Sequence, residues 1–297
     1  MSEKTRLSLP NLVSVIALII LNFLIFFFYG VVPEWKILLA LNFLILILIY
    51  FFSKNSFPRL KFFSDWFPFL ILLFIFKETY FLVHPIIPKD FDEIFIKLDF
   101  AIFNFNPTVE ISKFANPILT EILQISYSSY YFIIIAVPLA LYFRKDFQNF
   151  DYVSFLILYG FYLSYIGYFL FPGIGPRFTL HDFSQLQSEL PGIFFTEPLR
   201  QFINYAESIP TDLIQAKDLV HRDLFPSGHT QLTLVSIYFA FKFNIRFKKI
   251  ILVIGSLLIF STVYLRYHYV IDVVFGIIFF WFTIWSGKIL YSKNTKL

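Results

Sequence analysis

A chain of 297 residues that is 58% hydrophobic, 22% aromatic and only 15% charged departs from soluble domains, which run about 45–50% apolar and about 25% charged. That composition excludes a soluble enzyme, a disordered tail and a fibrous repeat, and the absence of cysteine excludes disulfides, thiolate nucleophiles and cysteine-bound metals. A net charge of +4 would by itself admit nucleic acid as a partner, but the placement of the charges assigns most of them to membrane topology instead.

The first apolar run, from about residue 12 to 33, follows Lys4 and Arg6 as in a leader peptide. It has no small-residue cleavage site and reads as a retained span. Further runs near 36–53, 67–86, 118–143, 152–171, 228–245, 249–267 and 269–287 predict eight membrane helices in all, each close to the ~20 residues that cross a bilayer. Residues 90–103 between the third and fourth runs set Phe91, Ile94, Phe95, Leu98 and Ile102 on one helical face, with Asp92, Glu93, Lys97 and Asp99 off it. That pattern predicts an amphipathic helix on the membrane interface. In the fourth run, Pro138 is tolerable, and Glu121, Tyr127 and Tyr130 read as a polar packing face. Gly160 and Ser164 in the fifth form a small-xxx-small step for close helix approach. The 44 phenylalanines read as lipid-facing filler.

Sorting Lys and Arg by loop gives the sidedness. Lys4, Arg6, Lys54, Arg59, Lys61, Arg144, Lys145, Lys242, Arg246, Lys248, Lys249, Lys288, Lys293 and Lys296, 14 of the 24 basic residues, fall at one face. By the positive-inside rule that face and both termini are cytoplasmic. The one Asn-x-Thr site, Asn106-Pro107-Thr108, is spoiled by its proline, which leans toward a bacterial inner membrane.

Three polar clusters fall at the opposite, outer face. Phe171-Pro-Gly-Ile-Gly-Pro-Arg177-Phe178 breaks the chain where the fifth span ends and leaves an Arg at the rim; such an Arg can hold a phosphate or simply snorkel. In Asp223-Leu-Phe-Pro226-Ser227-Gly228-His229-Thr230 a helix start, suited to anions, carries Ser227 as cap or phosphate donor and His229 in its first turn. A plain interfacial hydrogen-bonding histidine is the alternative. In Arg266-Tyr-His268-Tyr-Val-Ile-Asp272, His268 and Asp272 are i and i+4 and so are expected on one helix face, as an activated histidine with its orienting carboxylate or as an ion pair sealing a helix end. No carboxylate cluster suits Mg²⁺ and no His/Cys set suits zinc. Arg forks and paired histidines without a metal suit a phosphoryl group.

Pro226-Ser227-Gly228-His229 and His268-x3-Asp272, preceded by Pro176-Arg177, resemble the type 2 phosphatidic acid phosphatase (PAP2) superfamily over about residues 67–297. The resemblance implies an all-α polytopic membrane protein: a six-helix catalytic core, residues 67–297, behind a two-helix accessory hairpin, residues 1–66. It implies that His268 is the nucleophile forming a phosphohistidine, Asp272 its orienting group and His229 the general acid and then base. Arg177, Arg266, Ser227 and Gly228 would hold the phosphate, with no metal or other cofactor. The position seven before Arg177, Lys in the superfamily, is Leu170, and the third motif opens Ser261-Thr262 instead of Ser-Arg, with Arg266 one turn on. With Pro-x-x-Gly-Pro-Arg, these departures are closest in pattern to the inositol phosphorylceramide synthase-like branch. Asp223-x3-Ser-Gly-His-Thr is similar to the matching motif of sphingomyelin synthases.

The expected activity is therefore metal-independent hydrolysis of a lipid phosphate ester at the outer face. The alternative is transfer of a phospho-headgroup to a lipid alcohol. A lipid transporter using Lys77, Glu78 and Asp272 is disfavoured, because no paired broken spans occur in two halves. The partners expected are the membrane and a lipid phosphate or phospholipid. Lys77 and Glu78 read as a sealing pair or a contact with the site, Arg222 as part of a solvated loop with His221, and His84 and His181 as structural.

Overall fold

Pro10 at the first turn and an unbroken apolar run start the first helix, α1 (Leu9–Phe27). The computed structural model describes residues 7–54, 60–209 and 216–295, and no strand occurs among them. After α1 come α2 (Trp35–Lys54), α3 (Lys61–Ile86), α4 (Asp92–Phe103), α5 (Pro107–Ser112), α6 (Pro117–Ser128), α7 (Tyr130–Phe143) and α8 (Phe147–Leu170). The short α9 (Pro176–Thr179) and α10 (Leu186–Glu189), α11 (Thr196–Ala206) and the short α12 (Ala216–Leu219) then lead to α13 (Gly228–Lys242), α14 (Lys248–Tyr264) and α15 (Val270–Thr295). Side chains mark several starts: Asn116 accepts from the Leu119 N–H at 3.0 Å and Asp146 from Asn149 at 3.4 Å, each meeting an orphan donor of the first turn.

Among the described residues five helices (α1, α2, α3, α8 and α15) are long and apolar enough to cross a membrane, and α6 with α7 passes the same test only as a pair, bent by 45° at the break between them. The expected single span over 118–143 is thus two helices. The break is not at Pro138, which lies inside α7, but at Ser129. There the Ser126 hydroxyl donates to the Ile122 carbonyl (2.8 Å) and the Ser129 hydroxyl to Ser126 (2.6 Å), a back-bonding that bends helices. The sixth and seventh expected spans appear as α13 and α14, of 15 and 17 residues. At 1.5 Å per residue they are about 22 and 26 Å long, short of the ~30 Å hydrocarbon layer. Phe23, Phe26, Phe43, Trp281 and Trp285 point outward, as lipid-facing side chains do.

α13 is the central post, packed on α7, α8, α14 and α15. Gly160 of α8 lies against it; a Cβ there would come within 2.9 Å of Leu232. Gln231 uses that proximity, donating to the Gly160 carbonyl (3.0 Å) and to Thr283 of α15 (2.8 Å). Such interhelical hydrogen bonds satisfy polar groups that have no water to turn to. α1 packs on α8 and α3 as well as on α2, with Ser14 and Tyr162 hydroxyls 2.9 Å apart. Lys77 and Glu78 do not pair with one another. Glu78 accepts from Asn42 of α2 at 2.7 Å, whereas Lys77 donates to the Ala206 carbonyl at 3.3 Å and to Ser208.

The basic junctions meet at one end of the bundle: Arg144 donates to the Phe243 and Asn244 carbonyls (3.0 and 3.1 Å), and Tyr142 bonds Asp65 at 3.1 Å beside Lys61. Lys4, Arg6, Arg59 and Lys296 lie outside the described residues. The three polar clusters gather at the other end.

α4 is the amphipathic helix expected over 90–103, with most of its apolar face outward, but its polar stripe turns to protein instead of water. Its buried side chains are Asp92, Phe95 and Asp99, while Ile94, Leu98 and Ile102 face outward. Where the surroundings are lipid, an apolar stripe is satisfied outside and the polar stripe turns in to donors.

Candidate active site

Two loops are pinned together to form the site. After α8, Gly175 takes φ +91°, and a Cβ there would meet the Tyr267 carbonyl at 2.8 Å, so only glycine suits both the backbone and the approach. Its neighbour Arg177 donates its backbone N–H to the Arg266 carbonyl at 3.0 Å. The second loop is the α14–α15 turn. The Tyr267 and His268 N–H groups both donate to the Thr262 carbonyl (2.9 Å each), ending α14.

α4 holds both loops. Asp92 accepts from the Ile174 and Gly175 N–H groups (3.0 and 2.8 Å) and from the Tyr269 hydroxyl (2.9 Å). Asp99 accepts from the Val270 and Ile271 N–H groups (2.9 and 2.8 Å), capping α15 from a different helix. Between them Phe95 stacks on Phe225 at 5.0 Å, next to the Pro226-Ser227-Gly228 entry to α13. Burial pushes both carboxyls up, and the donors counter it.

His268 Nδ1 stands 3.4 Å from Asp272 Oδ2, and that oxygen also accepts from the Tyr269 N–H at 2.9 Å. The two side chains meet for a reason other than a shared helix face: α15 begins at Val270, so His268 lies in the turn and Asp272 in the first helical turn, where a carboxylate suits the helix dipole. On its other side His268 Nε2 is 3.4 Å from His229 Nδ1. His229 is packed between Tyr127 and Tyr130, ring centroids 4.7 and 4.3 Å away; the bend at Ser129 brings both tyrosines to it. Burial pushes the His268 imidazole down to about 4, against the upward pull of Asp223 and Glu207, so at neutral pH it is an uncharged, nucleophilic ring.

Both histidines open onto one cavity of about 90 Å³, lined also by Arg177, Glu207, Asp223, Gly228 and tyrosines of α7 and α8. Arg177 is buried with its guanidinium 4.6 Å from the Tyr267 ring centroid. It is ion-paired to Glu207, which holds the guanidinium above its ordinary range despite the burial. Its Nε and Nη1 are buried without a hydrogen-bond partner.

The structure thus brings together His229, His268, Asp272, Arg177 and Gly228. It does not bring Arg266 or Ser227 to the cavity wall. Arg266 has φ +68° beyond the end of α14, so helix-face arithmetic from Thr262 fails, and its guanidinium pairs with Glu189. Ser227 is fully buried as the cap of α13, accepting from the Thr230 N–H at 3.3 Å. Arg222, expected in a solvated loop, is buried instead and bonds Asp90 (3.3 Å) and the Val220 carbonyl (2.6 Å). His221 bonds Thr79 at 3.0 Å and His181 bonds Thr108 at 3.2 Å; His84 stays outside the cavity. Glu121 accepts from the N–H groups of Ile193, Phe194, Phe195 and Thr196, a cradle that docks the start of α11. Glu207, about two-thirds of the way from α8 to α13, carried no sequence signal. Among the described residues no three His, Asp or Glu side chains cluster as a metal site would.

The family model of the PAP2 superfamily matches residues 97–286, well over half of the chain. The chain belongs to the PAP2 superfamily. No match is found among curated proteins or among solved structures. Membership makes this PAP2 protein a membrane enzyme of the general phosphatase and phosphotransferase kind. The matched stretch contains all three clusters and Glu207, and begins within α4. At the two places where this PAP2 sequence departs from the motif, Leu170 is exposed on α8, and the Ser261 and Thr262 hydroxyls bond carbonyls of their own helix.

Proposed function

We propose that the protein cleaves a phosphate ester of a membrane lipid without a metal, through a phosphohistidine on His268. The observation that carries this is the single cavity in which His268 Nε2, His229 and the unpartnered donors of Arg177 meet, with Asp272 behind His268. His268 Nε2 attacks phosphorus; the N–P bond forms as the P–O bond to the lipid breaks, and the leaving oxygen takes a proton from His229. An acceptor hydroxyl then gives a proton to His229 as its oxygen displaces His268 from phosphorus. Asp272 fixes the Nδ1–H tautomer and meets the positive charge that develops on the ring. Arg177 supplies charge-assisted hydrogen bonds to phosphate oxygens, and Gly228 brings the start of α13 to the same place. Ser227 acts from behind as the cap of α13, and Arg266 through the carbonyl that fixes Arg177.

We place the site at the outer face of a bacterial inner membrane, with eight crossings, both termini cytoplasmic, and residues 1–66 as a hairpin beside a catalytic unit of 67–297. Water as acceptor makes the enzyme a phosphatase; a lipid alcohol makes it a phospho-headgroup transferase, a second reading that the inositol phosphorylceramide synthase-like motif favours. Purified protein is given labelled phosphatidic acid or phospholipid in EDTA, with and without diacylglycerol or ceramide. Free phosphate identifies the phosphatase and a new headgroup-bearing lipid the transferase. Turnover unaltered in His268→Ala, or none with any lipid, refutes the proposal.

A further inference from the structure

The charges around the cavity are a poor match for a doubly charged phosphate. Among the described residues Arg177 is the one Lys or Arg side chain in its wall. Arg266 is turned to Glu189, and Leu170 stands where the superfamily pattern has a lysine. Two carboxylates share the same wall, Glu207 and Asp223. Glu207 ends α11 and reaches one nitrogen of Arg177, so the guanidinium is already neutralised before any substrate arrives.

Asp223 has no such partner. Among the described residues no hydrogen bond from a neighbouring side chain reaches its carboxylate, and the nearest nitrogen that could carry charge is His221 Nδ1 at 3.7 Å. Burial pushes the His221 ring down to about 3, which leaves it neutral, and its Nε2 is engaged with Thr79. Lys77 feels Asp223 from farther away but is held by Ala206 and Ser208. The Asp223 side chain keeps 23% of its surface exposed, toward a space walled by Tyr130, Tyr131, Tyr165 and Tyr168. Burial pushes both carboxyls up, opposed by Arg177 in each case and by His268 for Asp223. With His268 uncharged and Arg177 set against Glu207 and Asp223, the wall holds no excess positive charge for a dianion even when His229 carries the proton it gives to the leaving oxygen.

A phosphomonoester carries about −1.5 to −2 near neutrality, and like charges in a partly desolvated site repel strongly. A phosphodiester carries one charge and presents, beyond the phosphate, an alcohol with its own donors. We propose that Glu207 and Asp223 are charge-selectivity residues, which set this cavity against the dianion of a phosphomonoester and in favour of a phosphodiester whose far side donates to Asp223. The inference rests on the phosphohistidine reading above and names its substrate class. The covalent step is unchanged: the bond from phosphorus to the glycerolipid oxygen breaks, and the headgroup phosphate moves to His268 Nε2.

The test uses the full chain in mixed micelles at pH 8, in EDTA, with phosphatidic acid, phosphatidylglycerol and phosphatidylethanolamine of matched acyl chains. At that pH the monoester is a dianion. The wild type should turn over the better diester at least tenfold faster, in kcat/KM, than phosphatidic acid. Asp223→Asn and Glu207→Gln should each narrow that ratio about tenfold, through a gain on the monoester. A purely structural role would depress all three substrates together and leave the ratio standing. Preference of the wild type for phosphatidic acid, or an unmoved ratio in both variants when each keeps the wild-type thermal transition, overturns the inference. His268-dependent turnover in either of those cases leaves the phosphohistidine reading intact. No turnover of any of the three lipids overturns both.

Discussion

Replacing Asp272 by Asn isolates the electrostatic part of the site. The amide keeps the shape and can still accept from the Tyr269 N–H, now bonded at 2.9 Å, but it carries no charge to face the ring that becomes positive when His268 bonds phosphorus. Asp272 Oδ2 and His268 Nδ1 are 3.4 Å apart. At an effective dielectric constant of about 20, two unit charges at that spacing attract by about 5 kcal/mol. At about 1.4 kcal/mol per decade this is a ceiling of roughly 10³–10⁴ in rate. The same substitution in a serine-protease triad costs about 10⁴. We expect Asp272→Asn to lower kcat by 10³–10⁴, with the thermal transition in detergent within a few degrees of wild type. Rapid quench with ³²P-labelled lipid should show slower formation of the acid-labile phosphoenzyme. A loss under tenfold, or an unchanged rate of phosphoenzyme formation, would show that Asp272 does not act on the charge of His268.

Three further outcomes follow from other contacts. Asp99→Ala leaves the Val270 and Ile271 N–H groups without their acceptor; at about 1–3 kcal/mol for each buried orphan, it should cost about 2–6 kcal/mol in stability, read as a lowered thermal midpoint. An unchanged midpoint would mean that α15 caps itself. Glu121→Ala removes the cradle at the start of α11, so hydrogen exchange should speed up over residues 193–206 while α13 stays protected. Because burial holds His268 at about 4, and only its neutral form attacks, kcat/KM for a phosphodiester should stay level as pH falls from 7 to 5 and decline as the pH approaches 4 in Asp223→Asn, which removes the wall carboxyl that titrates at about 6; a decline centred near 6.5 in that variant would contradict the buried, uncharged ring.

The sequence made legible what depends on residue order and local chemistry: the apolar runs, the helix start at Ser227, and three clusters ending up at one face. It misled wherever a helix was extended past its true end. Arg266 was placed by counting from Thr262, but α14 stops at Tyr264 and the chain turns through a positive φ at Arg266. His268 and Asp272 do meet, though through a turn that closes on Thr262 and not along a helix. The α4 pattern showed an amphipathic helix at the membrane interface, but not that Asp92 and Asp99 would be buried as acceptors for two loops. The bend at Ser129 and the burial of Arg222 depend on hydroxyl and carbonyl geometry that spacing does not record. Glu207 has no neighbours in sequence that hint at Arg177; the two meet only once α11 folds back over the cavity.

Asp92 and Asp99, seven residues apart on one helix, act as a gauge block between two halves of the chemistry. One end fixes the backbone beside the guanidinium and the other fixes the backbone beside the nucleophile. A helix of that length is stiff, so the separation of phosphate holder and attacking nitrogen is set by a component that touches neither. Adding or deleting one residue between the two aspartates would rotate one of them by about 100° and free one loop while leaving the other clamped. The catalytic side chains would all still be present, yet out of reach of each other.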